Sequence, residues 1–180
     1  MNIMIQTSVP NDGMVAIEYQ VPNTSKRIDF ILSGQDKNKE DSIIIVELKQ
    51  WEQVKKTHKD GIVISYVAKR ERELVHPSHQ AMTYARLIKD YNEVVQKENI
   101  HVYPCTYLHN YKRLKVSDPL LDSWYDEYLR EAPSFLSDDT DKLVDFIDRN
   151  IKYGDKTDIL YRIDNGRIKP SKSLADSVAN

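Results

Sequence analysis

Residues 42–51, Ser-Ile-Ile-Ile-Val-Glu-Leu-Lys-Gln-Trp, decide the fold of this chain. The four consecutive β-branched residues from Ile43 to Val46 are typical of a strand buried on both faces. Glu47 and Lys49 then interrupt the apolar run, and because side chains alternate along a strand they project from the same face. A carboxylate and an ammonium near the end of a central strand cost free energy unless they are paired or used. This stretch therefore predicts a central strand with a functional site at its end.

The composition is that of one globular domain: 180 residues, 40% hydrophobic and 30% charged, enough for a sizeable core. The net charge of −2 favours no class of partner. The charges are unevenly distributed, however. Residues 49–72 carry seven Lys/Arg and three Asp/Glu, a net +4, whereas residues 116–148 carry two and ten, a net −8. A bound polyanion is therefore expected to contact the first region and avoid the second.

Cysteine content and hydropathy restrict the compartment. Cys105 is the single cysteine, so an internal disulfide and a cysteine-based zinc site are both excluded. No apolar run approaches the roughly 18 residues of a membrane span, and the N-terminus lacks the layout of a secretion signal. No stretch matches the P-loop pattern G-x-x-x-x-G-K-[ST]. We expect a cytoplasmic protein without membrane contact, and no nucleotide-binding P-loop in this chain.

Hydrophobic periodicity divides the rest of the chain into elements. Residues 14–21 and 26–33 alternate around a Pro-Asn-Thr-Ser turn and form a hairpin, and residues 42–51 follow as the third strand of a β-meander. The other expected elements are a loop or short helix at 52–60, a strand at 61–68, a charged turn at 69–73, a helix from His76 through Val95, a strand at 100–108, helices at 118–130 and 140–152, and a hairpin at 159–168 turning at Asp164-Asn165-Gly166. This order predicts an α/β domain with a mixed, mostly meander-built sheet flanked by helices.

The first hairpin brings acidic residues together. If Pro22–Ser25 is a four-residue loop, paired residue numbers sum to 47, and Tyr19 lies opposite Ile28. The same register places Glu18 opposite Asp29, with their Cβ atoms roughly 4.5–5.5 Å apart. Two carboxylates at that distance repel unless a cation or a proton intervenes. Glu18 is then a further metal ligand or a base, or alternatively a residue that faces solvent or pairs with an arginine.

The acidic and basic positions form a motif. Asp29 lies within Arg-Ile-Asp-Phe-Ile, and Glu47 and Lys49 lie within Val-Glu-Leu-Lys. This Asp-(gap)-Glu-x-Lys arrangement on neighbouring strands resembles the PD-(D/E)XK nuclease superfamily, of which restriction endonucleases are the best-known members. Gln80 and Tyr84 match the Gln-x-x-x-Tyr motif that follows Glu-x-Lys in RecB-like exonucleases, and they share one helix face. The resemblance implies a restriction-endonuclease-like fold with a core of β-meander, helix and strand.

A closer resemblance covers most of the chain, from about Gly13 to the end. The segments that carry it are Ile-Glu-Tyr-Gln-Val-Pro, Ser-Lys-Arg-Ile-Asp-Phe-Ile-Leu, Val-Glu-Leu-Lys-Gln-Trp, His-Pro-Ser-His-Gln-Ala, Tyr-Leu-His-Asn-Tyr and Arg-Ile-Lys-Pro-Ser-Lys-Ser-Leu-Ala-Asp-Ser. They resemble the nuclease-like N-terminal region of bacterial predicted Schlafen-type DNA/RNA helicases. The resemblance implies a loose segment at 1–13, a nuclease-like domain at 14–169 and a linker at 170–180 toward a helicase domain outside this chain.

The expected activity is metal-dependent hydrolysis of phosphodiester bonds in DNA or RNA, with Mg²⁺ or Mn²⁺ as cofactor. A hard divalent cation prefers oxygen ligands, and it activates water and neutralises charge on the phosphate. The expected metal ligands are Asp29, Glu47 and Glu18. Lys49 is expected to orient the water and stabilise the transition state. Gln80 would hold a water or a phosphate oxygen, and Tyr84 would position the scissile strand.

Several alternatives stand beside this hypothesis. His76 and His79 are either metal ligands or, more simply, a helix cap and a surface residue. Six basic residues form either a phosphate-contact surface or a solvated loop: Lys55, Lys56, Lys59, Lys69, Arg70 and Arg72. The whole domain is either a nuclease or a catalytically idle nucleic-acid-binding or regulatory module of a helicase. A third reading is an interaction domain that uses the acidic surface of residues 116–148.

Overall fold

The structure, a computed structural model, describes residues 13–168. Its strands are β1 (Met14–Gln20), β2 (Arg27–Gln35), β3 (Asp41–Lys49), β4 (Val54–Lys56), β5 (Ile62–Val67), β6 (Arg70–Val75), β7 (His101–Leu108) and β8 (Ser134–Leu136). Its α-helices are α1 (Pro77–Tyr91), α2 (Glu93–Lys97), α3 (Asp126–Glu131), α4 (Thr140–Asn150) and α5 (Ile159–Asp164). The predictions for residues 1–12 and 169–180 fall outside the described residues.

The main sheet has five strands in the order β1-β2-β3-β7-β8. The first three strands pair antiparallel, whereas β3 with β7 and β7 with β8 pair parallel. A parallel pair needs a crossover connection, and between β3 and β7 it contains α1. The predicted α/β class, with a mixed sheet built as meander, helix and strand, is confirmed.

The central strand β3 is covered by a helix layer on each face. Ile43 and Ile45 pack in a core cluster with residues of α1, and Ile44 and Val46 pack in a second cluster with residues of α4. All four side chains are buried, with exposed fractions of 0% for the three isoleucines and 7% for the valine. The uninterrupted β-branched run thus fills both core layers, as a doubly covered strand requires.

A second, three-stranded antiparallel sheet, β4-β5-β6, lies in the chain between β3 and α1. The predictions of a loop or short helix at 52–60 and of a charged turn at 69–73 were therefore wrong. The turn is shorter than expected: Ala68 and Lys69 take positive φ angles of 52° and 66°, as the two central residues of a type I′ hairpin do. The following strand, Arg-Glu-Arg-Glu-Leu-Val, is mostly exposed, so it lacks the apolar alternation by which a strand is recognised.

The predicted hairpin at 159–168 was also wrong. Residues Ile159–Asp164 form helix α5, whose Ile159 and Ile163 lie four apart and are both fully buried. The Asn-Gly dipeptide ends this helix instead of turning a hairpin, with Asn165 as its C-cap. Gly166 follows because a Cβ there would lie 2.7 Å from the Asn92 side-chain oxygen.

Two predicted helices are divided. The first ends at Tyr91, since Asn92 caps the new helix α2 by accepting hydrogen bonds from the backbone of Val94 and Val95. In the region predicted as one helix at 118–130, two 3₁₀ turns, Pro119–Leu121 and Ser123–Tyr125, precede α3. Aspartates at 118 and 122 cap these turns, and such caps begin a new helical segment. The short strand β8 was not predicted.

Candidate active site

Asp29 and Glu47 lie side by side on β2 and β3. The antiparallel register pairs Phe30 with Val46, which brings the preceding Asp29 beside Glu47. The Leu48 backbone N–H donates to Asp29 Oδ2 over 2.8 Å, and the Asp29 N–H points to Glu47 Oε1 at 3.4 Å. Each carboxylate is thus held by the backbone of the other strand. The structure brings these two predicted residues together at the end of the central strand.

The Glu47 carboxyl is buried, with only 2% of the residue exposed. Burial raises its pKa to about 8, and repulsion by the Asp29 carboxylate adds to the rise. Attraction to Lys49 and the hydrogen bond from the Asp29 backbone act in the opposite direction but do not cancel it. A cation between the two carboxylates would favour the charged form of Glu47. Strongly shifted carboxyls of this kind concentrate at functional sites.

Lys49 lies two residues after Glu47 on the same face of β3 and is partly exposed. Its ammonium is close enough to Glu47 to lower the pKa of that carboxyl. The Nζ atom lies 5.4 Å from the centroid of the Trp51 ring, a distance typical of a cation–π contact. The Lys49 ammonium is therefore near both the Trp51 ring and the Glu47 carboxyl, at the partly exposed end of the site.

Gln80 and Tyr84 are one turn apart on α1, and the Gln80 side-chain amide donates to the Tyr84 hydroxyl over 2.8 Å. Tyr84 is 8% exposed and packs in the same core cluster as Ile43 and Ile45. Because Glu47 continues the face of β3 that those isoleucines define, the Gln80–Tyr84 pair lies on the side of the sheet toward which Glu47 and Lys49 project.

The predicted hairpin register is confirmed, since Ile17 pairs with Phe30 and Tyr19 with Ile28. Glu18 departs from a regular strand: it is exposed, it has a φ of 51°, and no β-bridge joins it to Asp29 in the described ladder. The left-handed backbone at Glu18 inverts the in-and-out alternation of side chains along β1. As a result, Ala16 and Tyr19, three residues apart, both contact the core cluster next to α1. Glu18 as a third metal ligand stays a prediction.

The donor set fits a hard divalent cation. Both candidate ligands are carboxylates, which Mg²⁺ and Mn²⁺ prefer. Among the described residues, backbone donors contact one oxygen of Asp29 and one of Glu47, which leaves one oxygen of each carboxylate without a backbone donor. Without a cation, two adjacent carboxylates at a buried site cost free energy. The residues present are therefore suited to Mg²⁺ with water completing its coordination.

The six predicted nucleic-acid-binding residues lie on the second sheet or its connections. Three of the lysines pair with carboxylates: Lys55 with Glu71, Lys59 with Glu73 and Lys56 with Asp122. Lys69 and Arg70 are exposed at the tip of the β5–β6 hairpin, and Arg72 is half-buried. The net +4 of residues 49–72 is thus partly neutralised by neighbours, whereas the exposed cations at the tip of the hairpin, Lys69 and Arg70, have no carboxylate partner among the described residues.

His76 caps α1, as the simpler alternative predicted. Its Nδ1 accepts a hydrogen bond from the Ser78 N–H over 3.0 Å, and its Nε2 donates to the Leu120 carbonyl over 2.9 Å. Burial lowers its pKa to about 4, so the neutral ring is the stable form. The His79 ring instead stacks on Tyr128, with 4.3 Å between ring centroids. Neither histidine lies in a metal-ligating cluster among residues 13–168.

One cluster of ligand-type side chains was not predicted. Asp36, Glu40 and His101 offer ligand atoms within 4.8 Å of one another. The parallel pairing of Ser42 with His101 brings the histidine to the β2–β3 loop, and no sequence motif marks such a long-range contact. The cluster is held by contacts within the protein. His101 Nε2 lies 2.6 Å from Glu40 Oε2, and Asp36 Oδ1 accepts hydrogen bonds from the backbone N–H groups of Asn38 and Glu40. The cluster lies at the opposite end of β3 from Glu47.

The described residues contain no helix that is both long and apolar enough to cross a lipid bilayer. A bilayer-spanning helix needs about 20 predominantly apolar residues, whereas the longest described helix, α1, has 15 residues. Comparisons of the chain with protein-family models, with curated proteins and with solved structures found no match in any of the three. The function is therefore inferred from the geometry of the site and from its motif.

Proposed function

We propose that this chain is a metal-dependent nuclease domain that hydrolyses phosphodiester bonds of DNA or RNA. The observation that carries the proposal is the buried Glu47 carboxyl beside Asp29, with a pKa raised to about 8, at the end of a strand that also presents Lys49. A purely structural pair of this kind would be costly. A cation held between the carboxylates offsets that cost and gives the pair a use.

The chain's own residues divide the chemistry among them. Asp29 and Glu47 would hold Mg²⁺ or Mn²⁺, which when bound lowers the pKa of water and neutralises charge on the phosphate. The Lys49 ammonium, at the partly exposed end of the site, would orient the attacking water and stabilise the charge that develops on the phosphate oxygens. The Gln80 amide is a further donor for a phosphate oxygen, and its bond to Tyr84 fixes its direction.

The proposed partner is a nucleic acid, contacted by the second sheet. That sheet lies in sequence between the strand that carries Glu47 and the helix that carries Gln80. Exposed Lys69 and Arg70 at its tip would contact backbone phosphates, which are bound chiefly through charge. The motif resemblance adds the proposal that the domain works in a cytoplasmic protein with a helicase domain on the same chain.

The rival proposal is a catalytically idle module that only binds nucleic acid for such a helicase. The ion pairs that Lys55, Lys56 and Lys59 make with carboxylates weaken the binding surface that this rival requires. The carboxylate pair favours the nuclease, because binding of a polyanion gains nothing from two adjacent negative groups.

Cleavage of labelled oligonucleotides tests the proposal. Single- and double-stranded DNA and RNA would be incubated with wild type and with Lys49→Ala, in Mg²⁺, in Mn²⁺ and in EDTA. We expect cleavage by wild type that EDTA abolishes and that Lys49→Ala slows by about 10²-fold or more. Lys112→Ala, at an exposed position outside the site, is the matched control for the loss of one lysine and should retain full activity, whereas equal cleavage by wild type and Lys49→Ala would indicate a co-purifying nuclease. If wild type and Lys49→Ala are equally inert while both bind the substrate, the idle module is correct.

A further inference from the structure

Half of strand β7 has an open edge. β3 pairs with β7 along its whole length, from His101 to Leu108. On the other side, β8 pairs only with Thr106 to Leu108. In the described part of the chain, the segment from His101 to Cys105 thus has no strand on that side. A strand edge presents unpaired backbone groups that are ready to pair with another chain.

One hydrogen bond shows which residues of β7 direct their backbone N–H and C=O groups toward the open side. The Thr106 N–H donates to the Pro133 carbonyl at the start of β8. Because backbone groups alternate in direction along a strand, Val102 and Pro104 also direct their groups toward that side. Proline has no N–H, and it occupies an outward position, where it costs no bond to β3. The open edge therefore offers the Val102 N–H and the carbonyls of Val102 and Pro104.

A groove of about 730 Å³ runs along this edge. Residues of α1 and of the neighbouring α3 form one wall and residues of α4 the other, with the Val102–Pro104 segment between them and Pro133 at the end where β8 begins. A second hollow of about 250 Å³ continues it past His101 to Ile100. From Ile100 to Pro104 the groove is long enough for about five extended residues at roughly 3.3 Å each.

The groove is positively charged on a protein whose net charge is −2. Its walls carry four basic residues, Arg86, Lys89, Arg130 and Arg149, and two acidic residues, Asp90 and Glu131. One of the four, Arg86, pairs with Glu131. An occupant with negative side chains therefore complements the groove, and an occupant with positive side chains is repelled.

We propose that this groove binds an acidic peptide segment of a partner protein in extended conformation, as a strand added to β7 in line with β8. The peptide backbone donates to the Val102 and Pro104 carbonyls and accepts from the Val102 N–H. Its acidic side chains face Lys89, Arg130 and Arg149. Addition of a strand to an open edge is a common mode of peptide recognition. A nucleic acid fits less well, because its backbone has no donors and acceptors at the spacing of a β-strand.

The test begins with selection from a displayed library of random heptapeptides against wild type. We expect the enriched peptides to be acidic and rich in β-branched residues. A synthetic, fluorescently labelled copy of the most enriched peptide should bind about tenfold more weakly to Arg130→Glu/Arg149→Glu than to wild type. Arg130 and Arg149 are both exposed. The matched control, Lys112→Glu/Lys115→Glu, reverses two exposed charges outside the groove and should bind like wild type.

Amide hydrogen exchange locates the peptide. The bound peptide should slow exchange of the Val102 N–H and leave that of Tyr103, which is directed toward β3, unchanged. Of two copies of the peptide, each methylated on one of the two alternating sets of backbone nitrogens, the copy methylated on the set that faces β7 should lose binding and the other should retain it. The proposal is overturned if no peptide is enriched, if charge reversal leaves affinity unchanged, or if a labelled 20-nucleotide single strand protects Val102 and the peptide does not. None of these results depends on cleavage activity.

Discussion

Glu47 is a buried carboxyl whose ionisation the folded protein opposes. Its folded-state pKa of about 8 lies above the ordinary value of 4.5, so the folded protein holds the proton more tightly than the unfolded chain. Its contribution to stability is therefore complete below pH 4.5, declines as pH rises from there and is lost through pH 8. The balance between burial, Asp29 and Lys49 thus becomes measurable as a pH dependence of folding.

The corresponding prediction concerns Glu47→Gln, which cannot ionise. In metal-free buffer we expect its free energy of unfolding at pH 9 to exceed that of wild type by about 3 kcal/mol, with a much smaller difference at pH 4. Urea denaturation at both pH values measures this. Asp29→Asn should give part of the same gain in the free energy of unfolding, because it removes the negative charge that helps to raise the pKa of Glu47. Parallel pH profiles for wild type and Glu47→Gln would mean that the carboxyl ionises freely.

His76 joins the start of α1 to the Leu120 carbonyl, and its two ring nitrogens have separate partners. His76→Asn keeps a side chain that can cap the helix but cannot reach Leu120. We expect it to cost about 1–2 kcal/mol at pH 7. Since the pKa of His76 is lowered to about 4, wild type loses stability as pH falls from 6.5 toward 4, and the variant should lose less. Denaturation at pH 7 and pH 5 measures both effects, and an equal acid sensitivity in the variant would contradict this role.

At the scale of elements, the β5–β6 turn is a weak point of the second sheet. Ala68 and Lys69 both have positive φ angles, which are unfavourable for residues with a Cβ. Ala68→Asn with Lys69→Gly supplies the residues that a type I′ turn prefers. We expect a gain of about 1 kcal/mol in the free energy of unfolding, measured by urea denaturation. An unchanged or lower value would show that the hairpin has another geometry.

The second sheet carries two kinds of exposed cation: those at the tip of the β5–β6 hairpin and those that pair with a carboxylate. Lys69→Ala/Arg70→Ala should weaken oligonucleotide binding several-fold and reduce the slope of log affinity against log salt by about 1–2. Lys55→Ala/Lys59→Ala removes the same charge, but each lysine already has a carboxylate partner, so we expect a smaller effect. Fluorescence anisotropy from 50 to 200 mM salt compares the pairs. The reverse order would place the nucleic acid on the β4 side of the sheet.

The elements that could be predicted are those with a strong local pattern. The run Ile43–Val46 and the alternating hairpin before it led to the correct meander and to the correct register of Tyr19 with Ile28. The strand Arg70–Val75 was missed because its side chains are mostly charged and exposed. The helix Ile159–Asp164 was missed because Asn-Gly, a strong hairpin signal, here ends a helix. In both cases the deciding contacts are tertiary.

Only part of the candidate site could be predicted from the sequence. The approach of Asp29 to Glu47 could be predicted, since both lie at the same end of neighbouring strands. The left-handed backbone at Glu18 could not, because nothing in Ile-Glu-Tyr marks it. Nor could the partners of Lys55 and Lys59, which come from a strand that the sequence did not indicate. Pairings of this kind depend on which strands meet, and single-sequence patterns do not specify them.

At the scale of the whole molecule, the two proposed sites lie at different places on the main sheet. The carboxylate pair lies toward the carboxyl end of β3, and the open edge of β7 lies in the amino-terminal half of that parallel strand. The proposed phosphodiester chemistry and the proposed peptide binding therefore use different ends of one sheet. Variants in the groove should leave cleavage unchanged, and variants of the carboxylates should leave peptide binding unchanged.

The most direct test of the metal site is a calorimetric titration with Mg²⁺ and Mn²⁺ at pH 7 and pH 8.5. We expect weak binding by wild type that strengthens with pH, because the cation displaces the proton of Glu47. Proton release should appear as a dependence of the measured heat on the ionisation enthalpy of the buffer. Asp29→Ala and Glu47→Ala should each abolish this binding, and Lys112→Ala should not change it. Equal binding by wild type and both carboxylate variants would contradict a metal site at Asp29 and Glu47.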